Sequence, residues 1–252
     1  MIRRILITRP ADQSAELITL LEGRGFATTG IPTVEIDDES CAADVHAMLE
    51  SLEGAAWLIL TSVNGARSIV ARLQGTGARL PPNLRVAAVG PATAQALREG
   101  GVAVDHVPAT YLTSAIADGL GDVRGRRVVL ARADAASAEL RATLDERGAL
   151  VEEVVAYRTL EGPAQSRDAL RAALHDDLAG IAFASASAVR GLMRLTAAVD
   201  RPRARTTPAF CIGPVAANQA KHSGFNVAAI AAEHTAGGLA DAIAAHFARE
   251  DL

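Results

Sequence analysis

The chain has 252 residues and a formal net charge of -4, and 50% of its residues are hydrophobic. A disordered protein is excluded, because the apolar fraction is high and the net charge low. Apolar runs such as 227–232 are far shorter than the ~18–20 residues of a membrane-spanning helix, and no secretory signal pattern opens the chain. With 3% aromatic residues and a pI near 5.9, a nucleic-acid surface is not expected. We expect a soluble, cytoplasmic protein.

The first half of the chain is predicted to alternate strands with helices. Short β-branched runs are followed by segments with apolar residues at helical spacing. The predicted strands are Ile5–Thr8, Ala27–Ile36, Trp57–Leu60, Val86–Val89 and Ala103–Val107. The predicted helices are Ala15–Leu21, Cys41–Leu52, Ala66–Leu73, Ala92–Arg98 and Ser114–Leu120.

The second half repeats the first at a constant offset of 123 residues, which relates Arg9 to Arg132 and Ser62 to Ser185. Such long-period similarity indicates a tandem duplication. The predicted strands are Val128–Ala131, Val151–Leu160, Ile181–Ala184, Ala209–Ile212 and Val227–Ala231. The predicted helices are Ala138–Arg147, Ala169–Asp176, Val189–Thr196, Ala216–His222 and Gly238–Phe247.

Apolar strands that alternate with helices indicate parallel sheets covered on both faces. We therefore expect an α/β protein with two doubly wound parallel-sheet domains. The equivalent segments 31–37 and 154–160 are extended and become more polar toward their ends, so they are expected to pair as a two-stranded linker. Each domain would then combine parts of both halves, with one domain formed by 1–36 plus 161–252 and the other by 37–153.

Polar groups follow several predicted strands, at the edge where open parallel sheets bind ligands and helix N-termini present free N–H groups. The candidate binding residues are Arg9, Thr61, Ser62, Asn64, Thr93, Arg132, Ser185, Ser187 and Pro214. Two such rims facing across a hinge would suit a multiply anionic small molecule, with the two arginines as carboxylate partners. The alternative is that the Ser, Thr and Asn residues are ordinary helix N-caps, because duplication copies caps as well as sites.

Motifs for common cofactors are missing from the sequence. It contains neither GxxxxGK[ST] nor GxGxxG after the first strand, and its histidines show no HxxxH or HExxH spacing. Cys41 and Cys211 have no CxxC partner, so neither a disulfide nor a thiolate zinc site is expected. An enzyme built on this chain is expected to use no cofactor and no metal.

Tyr157 is one of only two tyrosines and lies in the presumed linker strand. A phenol, whose pKa in water is ~10, stays protonated at neutral pH and can donate a proton to a leaving hydroxyl. The alternative is a ring that only packs at the domain junction.

The order of several segments resembles the uroporphyrinogen-III synthase family over essentially the whole chain. The matching segments are ILITRP at 5–10, TSVNGAR at 61–67, VGPATAQAL at 89–97, VVAYRT at 154–159 and TAGGL at 235–239. The resemblance implies two α/β domains joined by a two-stranded ladder. It also implies cofactor-free cyclisation of hydroxymethylbilane, a linear tetrapyrrole with eight carboxylates, with inversion of its last ring and loss of water.

By position, the resemblance makes Tyr157 the candidate acid for the leaving hydroxyl and Thr93 a carboxylate- or ring-binding residue. Ser62 and Ser185 match the family's rim serines. Relatives often have a second threonine after Gly-Pro in the second rim, whereas residues 213–216 read Gly-Pro-Val-Ala. Ala216 offers no hydroxyl, so contacts there would come from backbone N–H groups.

A second hypothesis is a non-catalytic two-domain binding or sensor protein for an anionic small molecule. The missing second threonine favours this hypothesis. The lack of a DNA-binding segment or extra output domain disfavours it. Under either hypothesis we expect a monomer whose partner is the small molecule.

Overall fold

The computed structural model describes residues 2–110 and 113–250. The chain forms two compact units. Unit 1 comprises Met1–Glu35 and Leu160–Leu252, and unit 2 comprises Ile36–Thr159.

Strands and helices alternate along the described part of the chain. The strands are β1 Arg4–Ile7, β2 Ala27–Gly30, β3 Val34–Asp37, β4 Trp57–Leu60, β5 Arg85–Ala88, β6 Arg127–Ala133, β7 Leu150–Glu161, β8 Gly180–Phe183, β9 Ala209–Cys211 and β10 Val227–Ile230. The α-helices are α1 Ala15–Glu22, α2 Ala42–Glu50, α3 Val63–Thr76, α4 Pro91–Glu99, α5 Glu139–Glu146, α6 Arg167–His175, α7 Ala186–Leu195, α8 Arg201–Thr206, α9 Pro214–His222 and α10 Ala236–Glu250. Short 3₁₀ segments are Ala11–Gln13, Glu39–Cys41, Thr113–Gly119 and Ala164–Ser166.

The strands form two five-stranded sheets. The order is β10-β9-β8-β1-β2 in one sheet and β3-β7-β6-β4-β5 in the other. The pairings of β1 with β2 and β8, of β9 with β8 and β10, and of β6 with β4 and β7 are all parallel, as is that of β4 with β5. Each sheet therefore contains strands from both halves of the duplicated sequence, and β3 lies next to β7.

Both faces of each sheet are covered by helices. On β4, Leu58 and Leu60 pack into a core with α2, α3 and α4, whereas Trp57 and Ile59 pack with α5 and residues 116–120. In unit 1, alternate residues of β8 likewise pack with α6, α7 and α9 on one face and with α1 and α10 on the other. Two-sided burial explains why these strands read as continuous apolar runs, and it confirms the predicted fold class.

The predicted long strand Ala27–Ile36 was wrong, because the chain forms two strands there. β2 ends at Gly30 and β3 begins at Val34, in the other sheet. Pro32 between them has no N–H to donate to a ladder. The N–H of Thr33 instead donates to the carbonyl of Thr8 at 3.1 Å.

The predicted strand Ala103–Val107 is reduced to a single bridge between Ala87 and His106. The carboxylate of Asp105 accepts the N–H of Val86 at 2.8 Å, so a side chain takes the donor that a ladder carbonyl would accept. Its equivalent in the second half is Ala228 of β10, which cannot compete in this way. The predicted helix Ser114–Leu120 is instead the 3₁₀ segment Thr113–Gly119.

Helix α8 was not predicted. It has six residues, begins with Arg201-Pro202, and buries only Ala204. A segment this short and polar carries no apolar periodicity. Among the described residues, no helix is long and apolar enough to cross a membrane.

Cys211 provides a pH-dependent prediction for unit 1. Burial raises the pKa of its thiol to about 11, partly offset by the charge of Lys221. Between pH 9 and 11 an unfolded chain releases this proton while the folded chain keeps it, so stability falls as pH rises through that range. We expect Cys211→Ala to remove up to about 2 kcal/mol of that loss, measured by urea denaturation of both proteins at pH 8 and 10.5. An equal loss in both proteins would contradict the prediction.

Candidate active site

The rim of unit 2 begins where β4 ends and α3 starts. Ser62 has an extended backbone and its Oγ accepts the N–H of Gly65 at 3.0 Å. It is therefore an N-cap, but capping uses only a lone pair, and the hydroxyl proton remains available to a ligand. Thr61 and Asn64 flank it and are half-buried.

Thr93 lies in the first turn of α4, which begins with Pro91 after the N-cap Gly90. The residue is 2% exposed, yet its hydroxyl makes no hydrogen bond to any described residue. Buried Thr8 and Thr33, by contrast, donate to the carbonyls of Ala182 and Ala188. The fold therefore does not use the hydroxyl of Thr93 as a donor.

Tyr157 lies on β7, opposite Ala133 of β6. It is 6% exposed, and its hydroxyl has no hydrogen-bond partner among the residues that the structure describes. Its ring atom Cε1 lies 3.8 Å from the point where a Cβ on Gly65 would stand, and Ser62 Oγ lies 3.2 Å from the same point. The structure therefore brings Tyr157 to the N-terminus of α3, beside Ser62. The sequence did not single out Gly65.

A charged residue follows Tyr157 in the chain, and its charge reaches a carboxylate on β3. Arg158 follows Tyr157 on β7, and Asp37 ends β3. Hydrogen bonds from Ser40, together with the weaker effect of the Arg158 charge, hold the pKa of the Asp37 carboxyl below its usual range. Asp37 is therefore ionised at neutral pH.

Arg132 is bound to its own unit. It is 8% exposed, donates to the carbonyl of Ser137 at 2.8 Å, and lies 3.2 Å from the carboxylate of Glu153. Arg141 lies 3.7 Å from the other oxygen of Glu153. These contacts fasten the loop after β6, where the N–H of Asp134 also donates to the carbonyl of Tyr157.

Substitution of Arg132 tests whether this guanidinium binds substrate or holds the loop. We expect Arg132→Gln to cost about 1.5–3 kcal/mol of unfolding free energy, because it removes the charge-assisted hydrogen bond that the buried guanidinium donates to the carbonyl of Ser137, together with its ion pair with Glu153. Urea denaturation followed by the fluorescence of Trp57, which lies in unit 2, measures this. A large rise in KM with unchanged stability would instead assign Arg132 to the substrate.

The rim of unit 1 repeats the cap of unit 2. Ser185 has an extended backbone, accepts the N–H of Ala188 at 3.0 Å, and lies 2.9 Å from the hydroxyl of Ser187. Both serines are half-buried. Arg9 is also half-buried. It lies just after β1, next to Thr8, which is fully buried.

Pro214 cannot donate the backbone contact expected at this rim. It is the first residue of α9, after the extended N-cap Gly213, and proline has no N–H. The free donors of this helix end are the N–H groups of Val215 and Ala216. Val215 is also 73% exposed, so this part of the rim is apolar.

The predicted site residues thus form two groups. Thr61, Ser62, Asn64, Thr93, Arg132 and Tyr157 belong to unit 2, and Arg9, Ser185, Ser187 and Pro214 belong to unit 1. Pockets among the described residues also lie elsewhere, and two of them are similar in size. One of about 530 Å³ lies between Leu73, Pro81 and Val102, the other of about 510 Å³ between β10 and α10, and neither is lined by a predicted site residue. Within 2–110 and 113–250, no three His, Cys, Asp or Glu side chains are placed to hold a metal ion.

Comparison with known proteins decides the family. A family model described as uroporphyrinogen-III synthase HemD matches residues 15–241. The chain belongs to the uroporphyrinogen-III synthase family. The predicted resemblance is thereby confirmed.

Individual members of the family cover most of this chain. The porphyrin biosynthesis protein HemD of Ruminiclostridium josui is 29% identical over 91% of the chain, which spans 45% of that protein, somewhat under half its length. The uroporphyrinogen-III synthase of Synechococcus elongatus is 30% identical over 77% of the chain and 75% of its own length. The crystal structure of a mutant uroporphyrinogen III synthase from Thermus thermophilus superposes on this chain with a TM-score of 0.68. The match covers 98% of this chain and 99% of the Thermus chain, at 19% sequence identity. This last likeness shows a shared fold.

Proposed function

We propose that this chain is a uroporphyrinogen-III synthase in haem biosynthesis, a cyclising hydro-lyase that acts on hydroxymethylbilane. Family membership over 15–241 supports the reaction class. The observation that carries the assignment to this site is Tyr157, a nearly buried phenol with no partner among the described residues, at the start of α3. The fold does not use this hydroxyl as a donor, so its proton is available to a ligand.

The proposed step is loss of the terminal hydroxyl. The bond from the methylene carbon to oxygen breaks, pushed by the lone pair of the adjacent pyrrole nitrogen, while the phenol of Tyr157 gives its proton to the departing oxygen to form water. The last pyrrole ring attacks the resulting cation through the ring carbon that already carries its methylene bridge, which gives a spiro intermediate. The older bridge bond then breaks, and the methylene cation it leaves is attacked by the other α-carbon of the same ring, so the macrocycle closes with that ring inverted. That ring then loses a proton, which restores the phenol, so atoms and charge balance.

In this proposal, holding the flexible substrate in one geometry contributes more to the rate acceleration than proton donation does. Orientation can contribute ~7–11 kcal/mol in favourable cases, whereas one proton donor contributes on the order of 10²–10⁴ in rate. The reaction has no net oxidation or reduction, so its electron balance requires no redox cofactor.

Carboxylates of the substrate are proposed to bind the hydroxyls, the amide, the arginine and the helix N-termini that each rim offers. In unit 2 these are Thr61, Ser62, Asn64 and Thr93, and in unit 1 they are Arg9, Ser185, Ser187 and the N–H groups after Pro214. Free N–H groups and the helix dipole favour anions at each of these helix starts. Arg132 is proposed to hold its loop rather than a carboxylate, because it is already bound to Ser137 and Glu153.

Kinetics with the purified chain tests the proposal. We expect hydroxymethylbilane to disappear faster with the chain present than in buffer, in proportion to chain concentration. Binding of the tetrapyrrole in a titration, with no acceleration, would instead support the binding-protein hypothesis, which the comparisons do not favour.

We further propose that the protein is a cytoplasmic monomer. Cys41 and Cys211 are buried and unpaired in the described structure, which suits a reducing compartment. The large exposed apolar side chains among the described residues, such as Ile2, Val199 and Val215, are far apart in the sequence and form no continuous strip along it. Light scattering during gel filtration measures the mass, and a dimer would contradict the proposal.

A further inference from the structure

Gly65 occupies a place in α3 where glycine needs an explanation. It is the third residue of the helix and is buried, and glycine forms helices worse than any residue except proline. A Cβ at this position would stand 3.2 Å from Ser62 Oγ, 3.5 Å from the carbonyl of Ala131 and 3.8 Å from the ring of Tyr157. A side chain here would press on the Ser62 hydroxyl and come into van der Waals contact with the tyrosine ring, so the glycine leaves room beside both groups.

Ser68 lies one turn further along the same helix. It is 2% exposed, and its hydroxyl donates to the carbonyl of Ala156 at 2.8 Å. Ala156 is the residue before Tyr157, so this bond ties α3 to the backbone that carries the phenol. A serine in a helix interior has no propensity advantage there, and the tie to β7 explains it.

The internal duplication supplies a comparison within the same chain. At the offset of 123 residues, Gly65 corresponds to Ala188 of α7 and Tyr157 corresponds to Val34 of β3. At these equivalent positions unit 1 has a larger helix residue and a smaller strand residue, and unit 2 has the reverse. In unit 2 the larger strand residue thus occurs together with the smaller helix residue.

The second pair of equivalent positions shows the same asymmetry. Ser68 corresponds to Gly191, and Ala156 corresponds to Thr33. A Cβ on Gly191 would lie far inside contact distance of the Thr33 carbonyl, so α7 packs directly on that backbone. In unit 2 a serine side chain bridges the equivalent positions, so α3 is held off β7 by the length of a hydrogen-bonded side chain.

We propose that Gly65 and Ser68 are positioning residues that hold Tyr157 in place for proton donation. Gly65 leaves the start of α3 free of a side chain beside Ser62 and the tyrosine ring, and Ser68 sets the distance between α3 and β7. Neither residue is assigned contact with the reacting atoms. The proposal rests on the proposed function, since it presumes that Tyr157 donates the proton.

A double-mutant cycle tests the proposal. Gly65→Ala and Ser68→Ala are each made in the wild-type chain and in Tyr157→Phe, and kcat and KM are measured with hydroxymethylbilane. We expect each change to lower kcat at least about fivefold in the wild type with KM within about twofold, and to change kcat less than about twofold in Tyr157→Phe. Gly75→Ala is the matched control, because Gly75 lies in the same helix with open space around its Cβ position. Gly75→Ala should leave kcat within about twofold of the wild-type value.

The outcomes separate the two proposals. Equal fold-losses in both backgrounds, or no loss in either, would overturn the positioning role while leaving the enzyme assignment intact. No turnover by the wild-type chain would overturn the proposed function and the positioning role with it. If Gly65→Ala does not fold, the Ser68→Ala cycle decides the question alone.

Discussion

Replacement of Tyr157 by phenylalanine is expected to lower kcat at least about tenfold, because the proposed proton donor is lost. The free energy of unfolding should change by less than about 1 kcal/mol, since the hydroxyl makes no hydrogen bond to a described residue and the ring packing is kept. Steady-state kinetics and urea denaturation of the same preparation measure the two quantities.

Thr196→Val is the control, and it is expected to lower stability without changing kcat. The hydroxyl of Thr196 is buried in unit 1 and donates to the carbonyl of Leu192 at 2.7 Å, away from the predicted site residues. Its removal should cost about 1 kcal/mol of stability and leave kcat unchanged. Wild-type turnover by Tyr157→Phe would reduce Tyr157 to a packing residue.

The largest effect on stability is expected from Gly191→Ala. The new Cβ would collide with the backbone of Thr33, which is held by its own bonds to Thr8 and Ala188, so neither partner can move cheaply. We expect a loss of about 3 kcal/mol or more, seen as a lower urea midpoint by circular dichroism, which follows both units.

Gly75→Ala is again the control, because an open helical glycine gains about 0.5–1 kcal/mol on replacement by alanine. An unchanged midpoint for Gly191→Ala would mean that α7 is not closely packed on the 31–33 segment.

The elements that were predicted well are those whose signal is local. β4 was predicted at Trp57–Leu60 and observed there, because a four-residue apolar run buried on both faces reads the same in sequence and structure. The predicted strand Ala27–Ile36 is broken because its two halves pair with strands of different sheets. In the sequence, only Pro32 indicated a break there. The loss of the strand at Ala103–Val107 depends on one carboxylate, that of Asp105, reaching a backbone N–H.

The site could be predicted only as residue types at strand ends. Ser62 and Ser185 are caps, as the simpler interpretation held, and whether they also bind substrate stays a prediction. Sequence reasoning could not show that Arg132 is bound internally, because Ser137 and Glu153 reach it from a loop and a neighbouring strand. The duplicated sequence shows that Gly65 and Tyr157 correspond to Ala188 and Val34. That Gly65 and Tyr157 lie against each other became apparent only in the structure.

The isomer composition of the product tests the central claim most directly. Purified chain in molar excess over hydroxymethylbilane, followed through one turnover and separated by chromatography, should give mostly the asymmetric macrocycle with its last ring inverted. A product mixture matching that of the chain-free reaction would contradict the account.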